Sequence, residues 1–366
     1  MAYTTIDNSA SHFNTVTYTG NVDHSSANGS QAITGVGFQP DWIWIKPYVL
    51  GYAAGSHNLT DSVRGAGKSL FADLTGAEYD YGTSANGGAV IAIGSDGFTL
   101  GGASQVNEDS NTYVAWNWLA GTSVSGSTGG SGTSKSYSGS VNTTSGFSII
   151  TYVGNGTAGH TVPHHLGAVP RMIIVKGRDQ VENWTVYHEG LTSNNYALRL
   201  NDQAAQFSQT LSWNDTTPTS SVFTLGGGAG TSDYTNRDGI NMIAYCFAEK
   251  KGYSKFGSYV GNGNADGTFV FCGFRPAWLM IKSASSASTS WVMHDNKRDT
   301  FNVAKNNLDA DNDSAQASAD RLDILSNGFK SRSTLNFNNK SGDTYIYMAF
   351  AESPFVNSNG VPNNAR

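Results

Sequence analysis

Three stretches of this chain repeat the same three signals in the same order. Each stretch opens on a tyrosine two residues before a Gly-Asn pair, continues with a proline and an apolar run that ends in lysine, and closes on an aromatic-rich run. The openings are Tyr18–Asn21, Tyr152–Asn155 and Tyr259–Asn262, the lysine runs are Pro40–Lys46, Pro170–Lys176 and Pro276–Lys282, and the closing runs are Tyr113–Trp118, Met242–Phe247 and Tyr345–Phe350.

The spacing of these signals hardly changes from the start of a stretch to its end. Successive lysine runs are 130 and 106 residues apart, and successive closing runs are 129 and 103 residues apart. A repeat of about a hundred residues has the size of a small domain. The sequence therefore predicts three copies of one module, which favours a multivalent or structural protein over an enzyme with a single active site.

The local patterns inside each copy are typical of β structure. Short runs rich in β-branched and aromatic residues are frequent. In one of them Trp184, Val186 and His188 alternate with Thr185 and Tyr187, so the two sets would face opposite sides of a strand. Asp96-Gly97 and Asn327-Gly328 are strong hairpin signals, and helical periodicity is nearly absent. We therefore predict an all-β fold of three tandem antiparallel β-sandwich modules, of jelly-roll or lectin-like type, arranged like beads in a row.

The repeats also set the expected domain boundaries. The first module covers residues 1–120 and includes an N-terminal arm. Residues 121–146 are rich in Gly, Ser and Thr and have few apolar side chains to bury, which predicts a flexible or extended linker. The second module covers residues 147–251, the third covers residues 252–354, and residues 355–366 are expected to form a polar tail.

Composition narrows the function classes. Charged residues make up 14% of the chain and the net charge is −6, which argues against a nucleic-acid-binding surface with clustered Lys and Arg. No apolar run reaches the length of a membrane helix, so membrane insertion is not expected. The start of the chain has neither a basic segment nor an apolar core, which predicts synthesis in the cytoplasm without a signal peptide.

The two cysteines, Cys246 and Cys272, are predicted to be buried free thiols. A disulfide between them is the alternative that the sequence leaves open.

Three segments resemble ligand sites only in part. Gly65–Ser69 ends like a phosphate-binding loop but lacks the first glycine of that motif. Asp309–Asp320 has the spacing of a calcium loop, but Ser314 replaces the glycine of that loop and Asp320 its final glutamate. The histidines of His160–His165 have no partner Cys or Asp nearby in sequence. We favour ordinary loop roles for all three segments and predict no cofactor and no metal.

Five residues are the candidates for contact with a glycan or a partner. Asp61, His188 and Asp295 fall at about the same position in the three modules, and Trp184 and Trp291 precede the last two by about four residues. An aromatic face beside a polar side chain suits a sugar-contact loop. The same pattern equally suits a polar group that ties its own turn together, with Arg64 and Arg298 paired to Asp61 and Asp295, and this structural interpretation is the one we favour.

A catalytic constellation is not identifiable in the sequence. Glycan hydrolysis would need two opposed carboxylates. Glu249 and Glu352 share a position at the end of the closing strand, but the first module has Ala120 there. No catalytic residue is assigned, and the chain is not expected to be an enzyme.

Further motifs carry a family resemblance that covers nearly the whole chain except the linker and the tail. They are Met1–Asp7, Gln39–Lys46, His57–Gly65, Ser95–Leu100, Thr112–Trp118, Gly252–Tyr259, Gly273–Pro276 and Tyr345–Glu352. With these motifs the chain resembles a widespread group of tailed-phage virion proteins, frequent in marine phages, that contain tandem β-rich modules. The resemblance implies a tail fibre, a tail-associated component or another surface component, and it brings no catalytic residues with it.

The resemblance leads to three functional hypotheses. The first is a virion structural protein, a tail fibre or tail-associated component, that contributes to attachment to host-surface polysaccharide. Its expected partners are other virion proteins and further copies of itself, as a homotrimer by analogy with fibres. The second is an architectural decoration or adaptor of the virion without a host ligand, and the third is a glycan depolymerase. The burial of Trp184 and Trp291 discriminates between the first two hypotheses.

Overall fold

The structure, a computed structural model, describes residues 3–23, 25–51, 55–227 and 235–363. Met1 and Ala2 of the predicted N-terminal arm and the last three residues of the predicted tail lie outside these residues. Helix is limited, in the part described, to a 3-10 turn and two single-turn α-helices: Ser9–Ser11, α1 (Ser104–Asn107) and α2 (Thr210–Trp213). None of them has the length and apolar character needed to cross a membrane.

The rest of the ordered secondary structure is β-strand. The first block contains β1 (Phe13–Thr19), β2 (Gln31–Thr34), β3 (Trp42–Val49), β4 (Asn58–Asp61), β5 (Lys68–Phe71), β6 (Tyr79–Asp80), β7 (Val90–Gly94), β8 (Gly97–Leu100) and β9 (Thr112–Trp118). Three strands follow before the second block, namely β10 (Thr122–Ser127), β11 (Gly129–Gly130) and β12 (Ser136–Asn142).

The second and third blocks repeat the pattern of the first. The second contains β13 (Phe147–Val153), β14 (His160–Pro163), β15 (Met172–Gly177), β16 (Thr185–His188), β17 (Tyr196–Arg199), β18 (Phe207–Ser208), β19 (Val222–Leu225) and β20 (Asn241–Phe247). The third contains β21 (Ser254–Val260), β22 (Phe269–Phe271), β23 (Phe274–Ser283), β24 (Val292–Asp295), β25 (Ala304–Asp309), β26 (Ala317–Leu325), β27 (Gly328–Ser331) and β28 (Thr344–Pro354).

Each block contains a large sheet with the same strand order. The orders are β1-β9-β3-β4-β5-β6, then β13-β20-β15-β16-β17-β18, then β21-β28-β23-β24-β25. The neighbouring strands of these sheets are antiparallel. A small sheet covers one face of each large sheet: β2-β8-β7, β11-β14-β19, and β26-β27-β22, the last of which is continuous with its large sheet. The predicted all-β, sandwich-like fold is confirmed.

The closing strands have apolar side chains on both faces because both faces are buried. In β9, Tyr113 and Ala115 point into the core between the two sheets of the first block, whereas Val114, Trp116 and Trp118 point the other way. Side chains alternate between faces along a strand, so the two sets must meet different neighbours. β20 and β28 divide their side chains in the same manner.

The second face of every large sheet packs into one central core that the three blocks share. Aromatic rings meet across each pair of blocks: Trp42 and Tyr245 are 4.5 Å apart, Phe247 and Phe350 are 6.2 Å apart, and Trp118 and Trp278 are 5.6 Å apart, measured between ring centroids. Each block thus contacts the other two. The expectation of beads in a row is wrong, because three sheets with a second apolar face bury that face against one another.

We call the three blocks, each of which contacts the other two, the ring. The two ends of the described chain lie against the third block and connect it to the first. Ile6 is buried in the central core, and the hydroxyl of Tyr3 donates to the carbonyl oxygen of Gly273 at 2.8 Å. In the predicted tail, the backbone N–H of Ser358 donates to the carboxylate of Asp7 at 2.7 Å. The N-terminal arm therefore reaches from the first block to the third.

Residues 121–146 are not a linker, and this part of the domain prediction is wrong. β10 pairs with β12, and β12 pairs with β13, so the segment is a hairpin that widens the large sheet of the second block. Tyr137 and Val141 enter the core of that block. A strand added to an existing sheet gains main-chain hydrogen bonds, so two or three apolar side chains on alternate positions are enough to hold it.

We expect that Trp118→Ala lowers the free energy of unfolding by about 3–5 kcal/mol, because it leaves a cavity in the core common to all blocks. Unfolding by urea, followed by circular dichroism and by tryptophan fluorescence, should remain a single transition in which all blocks unfold together. Val181→Ala, a change at an exposed side chain of the second block, is the matched control and should have little effect. Separate transitions for the blocks would contradict the shared core.

Candidate functional site at the junctions between blocks

The five candidate residues lie where one block meets the next. We call these regions junction 1 (blocks one and two), junction 2 (blocks two and three) and junction 3 (blocks three and one). Each junction contains a backbone hydrogen bond between equivalent segments. These bonds run from Glu78 N to Arg178 O (2.7 Å), from Gln206 N to Ala284 O (2.8 Å), and from Gln316 N to Tyr48 O (3.1 Å).

A buried ring N–H crosses each junction. The ring belongs to the residue just before β4, β16 or β24, and the acceptor is the carbonyl of the last residue of β5, β17 or β25. The pairs are Trp184 Nε1 to Phe71 O (2.8 Å), Trp291 Nε1 to Arg199 O (2.8 Å) and His57 Nε2 to Asp309 O (3.0 Å). His57 holds the required tautomer because its Nδ1 accepts from Trp44 Nε1 at 2.8 Å.

The last residue of β4, β16 or β24 makes a second polar contact with a neighbouring block. Asp61 accepts from the hydroxyl of Tyr245 at 2.7 Å, and Asp295 accepts from Trp116 Nε1 at 3.2 Å. His188 instead places Nε2 3.1 Å from the carbonyl oxygen of Tyr347. Its Nδ1 accepts from Gly190 N, so Nε2 carries the proton and donates. Every one of these three polar side chains is buried.

The exchange of Asp for His follows from the residue opposite. Tyr245 and Trp116 occupy equivalent positions in β20 and β9, and Met348 holds that position in β28. A methionine has no donor, so an aspartate facing it would lack the hydrogen bond from the neighbouring block that Asp61 and Asp295 receive. A neutral histidine supplies its own donor and finds a main-chain carbonyl. The module without the aspartate also has Leu191 where the others have Arg64 and Arg298, so no cation is left unpaired.

The aspartates also organise their own turns, as the structural interpretation predicted. Oδ1 of Asp61 accepts from the backbone N–H groups of Val63 and Arg64, and Arg64 Nε lies 2.5 Å from Oδ2. Asp295 binds Arg298 in the same way, with Nε 2.7 Å from Oδ2. The predicted Asp–Arg pairs are confirmed.

The lysines that end the apolar runs form a third contact across each junction. The sequence placed Lys46, Lys176 and Lys282 at strand ends but gave no sign of their burial, since lysine is normally exposed. Their Nζ atoms donate to carbonyl oxygens of the neighbouring block: Lys176 to Thr75 at 3.1 Å, Lys282 to Gln203 at 3.5 Å, and Lys46 to Asp313 at 2.9 Å. Burial lowers the pKa of all three lysines from 10.5 to about 8.

The interpretation of the five candidates as glycan contacts is therefore wrong. Asp61, Trp184, His188, Trp291 and Asp295 are each at most 1% exposed. A sugar cannot stack on an indole that is covered on all sides, nor reach a carboxylate that already accepts hydrogen bonds from a turn and a neighbouring block. The recurrence that sequence analysis detected is real, but it marks the joints of the ring rather than a contact surface.

The partial motifs have internal partners of their own. His160 contacts the side chain of Asn155, His164 contacts the carbonyl of Thr219, and His165 contacts the hydroxyl of Tyr137. Within the described ranges, no group of three or more His, Cys, Asp or Glu side chains is placed to hold a metal ion. Cys246 and Cys272 are both free and buried, which confirms the prediction of buried thiols.

The first carboxylates of the Asp309–Asp320 segment also have hydrogen-bond partners within the fold. Asp311 accepts from the backbone N–H of Trp291 at 2.8 Å, and Asp309 accepts from the side chain of Asn307 at 2.9 Å. Burial raises the pKa of both carboxyls. Asp311 thus holds the backbone of Trp291, whose indole crosses junction 2.

Comparison with known proteins identifies a family. A family model described as a domain of unknown function (DUF7483) matches residues 8–354. No curated protein and no solved structure matches the chain. The matched region includes all three blocks and the hairpin between the first two, so the family is defined on the whole ring rather than on one block.

Removal of the Tyr245 hydroxyl should weaken junction 1. Tyr245→Phe is expected to cost about 1.5–3 kcal/mol, because the lost bond reaches a charged group. Asp61→Asn should have a cost that is not additive with it, with a coupling of about 0.5–3 kcal/mol in a double-mutant cycle measured by urea unfolding. Tyr79→Phe, at an exposed tyrosine, is the control. Additive costs would show that the two groups do not interact.

Junction 2 should be sensitive to acid through His188. Burial lowers the pKa of His188 from 6.5 to about 4. Between these two pH values His188 is protonated in the unfolded chain but neutral in the folded chain. The stability is present above about pH 6.5 and is lost as the pH falls towards 4. Between pH 7 and pH 5 the wild type should lose about 2 kcal/mol more than His188→Gln, measured by urea unfolding at both values. Equal losses in the two proteins would contradict this assignment.

Proposed function

The chain belongs to the family described as a domain of unknown function (DUF7483), and we propose that it is an architectural component of a tailed-phage particle. In this proposal the three-block ring is a rigid structural framework to which other virion proteins bind. The assignment to a phage particle rests on the motif resemblance.

The observation that carries the architectural role is the burial of every candidate contact residue at the junctions. Of the two virion hypotheses, attachment drew its support from Trp184 and Trp291, and both indoles are covered and hydrogen-bonded to a neighbouring block. The repeated polar groups join blocks, which is the work of a framework. Attachment to host polysaccharide through another surface remains a prediction, as does the homotrimer suggested by the fibre analogy.

An enzymatic role receives no comparable support. The two glutamates that share a position are both engaged with cations of their own surroundings. Glu249 lies 2.8 Å from Lys255, and Glu352 lies 2.5 Å from Arg275. A depolymerase would need two carboxylates that face one substrate. We therefore propose no catalytic pair and no cofactor.

The test is the copy number of this chain in purified particles of the phage that encodes it. We expect a fixed ratio to the major capsid protein by quantitative mass spectrometry, and density in the particle that fits a three-block ring. An abundant host protein from the same lysate measures contamination. Absence from washed particles would overturn the proposal.

A competition experiment separates the two virion hypotheses. Purified chain is added to host cells before the phage, and the adsorption rate is measured. An architectural component should leave adsorption unchanged, whereas an attachment protein should slow it by occupying the receptor. Slower adsorption would replace the architectural role with attachment.

A further inference from the structure

The outermost strand of the small sheet differs among the three blocks in what lies beside it. In the second block, β14 has β11 on its open side, and Gly129 and Gly130 pair with Thr161 and His160. In the first and third blocks the equivalent strands, β2 and β22, are the last strands of their sheets among the residues that the structure describes. The chain thus contains one example of a strand added at this edge and two edges of the same kind without it.

The main chain of β22 is oriented to accept another strand. Ser331 N donates to Thr268 O at 3.1 Å, and Cys272 N donates to Asn327 O at 2.9 Å. In an antiparallel pair, residues alternate between those bonded to the neighbour and those whose N–H and C=O point away. Phe269 and Phe271 are of the second kind, so their main-chain groups point to the open edge. Thr161, which pairs with Gly129 in the second block, occupies the position of Phe269.

The outward side chains make β22 different from the equivalent strands. The inward residue is apolar in every block: Ile33, Val162 and Val270. The outward pairs are Ala32 and Thr34 in β2, Thr161 and Pro163 in β14, and Phe269 and Phe271 in β22. The two phenylalanines are 45% and 57% exposed. The third block therefore presents an aromatic pair where the other blocks present alanine, threonine or proline.

A third exposed phenylalanine lies at the same end of the third block. Phe301 is 80% exposed and lines a depression together with Arg275, Leu325 and Asn327. The carbonyl of Asn327 is the acceptor for the N–H groups of Cys272 and Gly273, directly after β22. Natural edge strands usually include a charge, a proline or a bulge that discourages pairing. β22 is only three residues long, which limits pairing to a short stretch, but its sequence Phe-Val-Phe has no charge, proline or bulge.

We infer that β22 is the contact through which two copies of this chain associate, by antiparallel pairing of one β22 with the other. The occupant is a second copy because a two-fold contact is self-complementary: the same strand supplies the matching main-chain groups and the matching phenylalanines. Continuation of the small sheet across the contact would satisfy the outward groups of Phe269 and Phe271, as β11 does for Thr161. The inference does not depend on the proposed function.

The expected association is weak. A phenylalanine side chain buries roughly 150–250 Å² when it is covered completely. The exposed parts of Phe269, Phe271 and Phe301 therefore amount to roughly 350 Å² per copy, below the roughly 800 Å² per partner of a standard stable interface. Such a contact forms at high protein concentration, or where many copies are held close together.

The test is sedimentation velocity over a concentration series from about 1 µM to about 500 µM, which covers weak dissociation constants. The wild type should shift reversibly from monomer to dimer. Phe269→Ala/Phe271→Thr, which gives β22 the outward residues of β2, should raise the dissociation constant at least tenfold. The matched control is Ala32→Ser/Thr34→Ser in β2, which should behave as the wild type. Circular dichroism and urea unfolding confirm that each variant is folded.

Hydrogen exchange supplies a second readout at the strand itself. At high concentration the amides of Phe269 and Phe271 should exchange more slowly in the wild type, while those of Ala32 and Thr34 should not change. A wild type that stays monomeric over the whole series would overturn the inference. So would a variant that associates as strongly as the wild type, or a trimer whose formation the β22 substitutions do not affect.

Discussion

The packing of three large sheets against one aromatic core is the constraint on which the rest of the structure depends. Trp42, Tyr245 and Trp278, one from each block, are among the largest fully buried side chains. Each of these side chains removes a large apolar surface from water only if the other blocks are present. A single block would expose one whole face of its large sheet. The ring is therefore the folding unit, and the family match over residues 8–354 has the same extent.

A core shared by three similar blocks creates a problem of order, which the polar groups at the junctions resolve. The three sheets have similar apolar faces, so packing alone does not distinguish one neighbour from another. The junction pairs differ in chemistry: aspartate with tyrosine, aspartate with tryptophan, and histidine with a main-chain carbonyl. A block in the wrong place would set Asp61 or Asp295 against Met348 and leave a buried carboxylate without that donor. The polar contacts thus favour one arrangement among several of similar apolar packing.

The sequence was sufficient to predict what is local and repeated. The strands, the hairpin turns and the Asp61–Arg64 type of turn all depend on residues close together in the chain. The ring was not predictable in this way, because its contacts join residues such as Asp61 and Tyr245 that are far apart. A signal did exist in runs such as Tyr113–Trp118, which are apolar on both faces and therefore need two cores. The linker prediction for residues 121–146 was wrong because low apolar content indicates a linker only where no neighbouring sheet can pair with the segment.

The divergence among blocks has two different origins, and only one of them bears on partners. At the junctions, differences such as His188 in place of aspartate compensate for a change in the residue opposite, so they preserve one framework. At the edge of the small sheet, Phe269 and Phe271 replace the outward residues of the equivalent strands and stay about half exposed, and an exposed apolar pair is a cost in solubility. A substitution that the fold explains gives no information about partners. The residues that differ without an internal reason are therefore the ones that indicate where this ring meets another molecule.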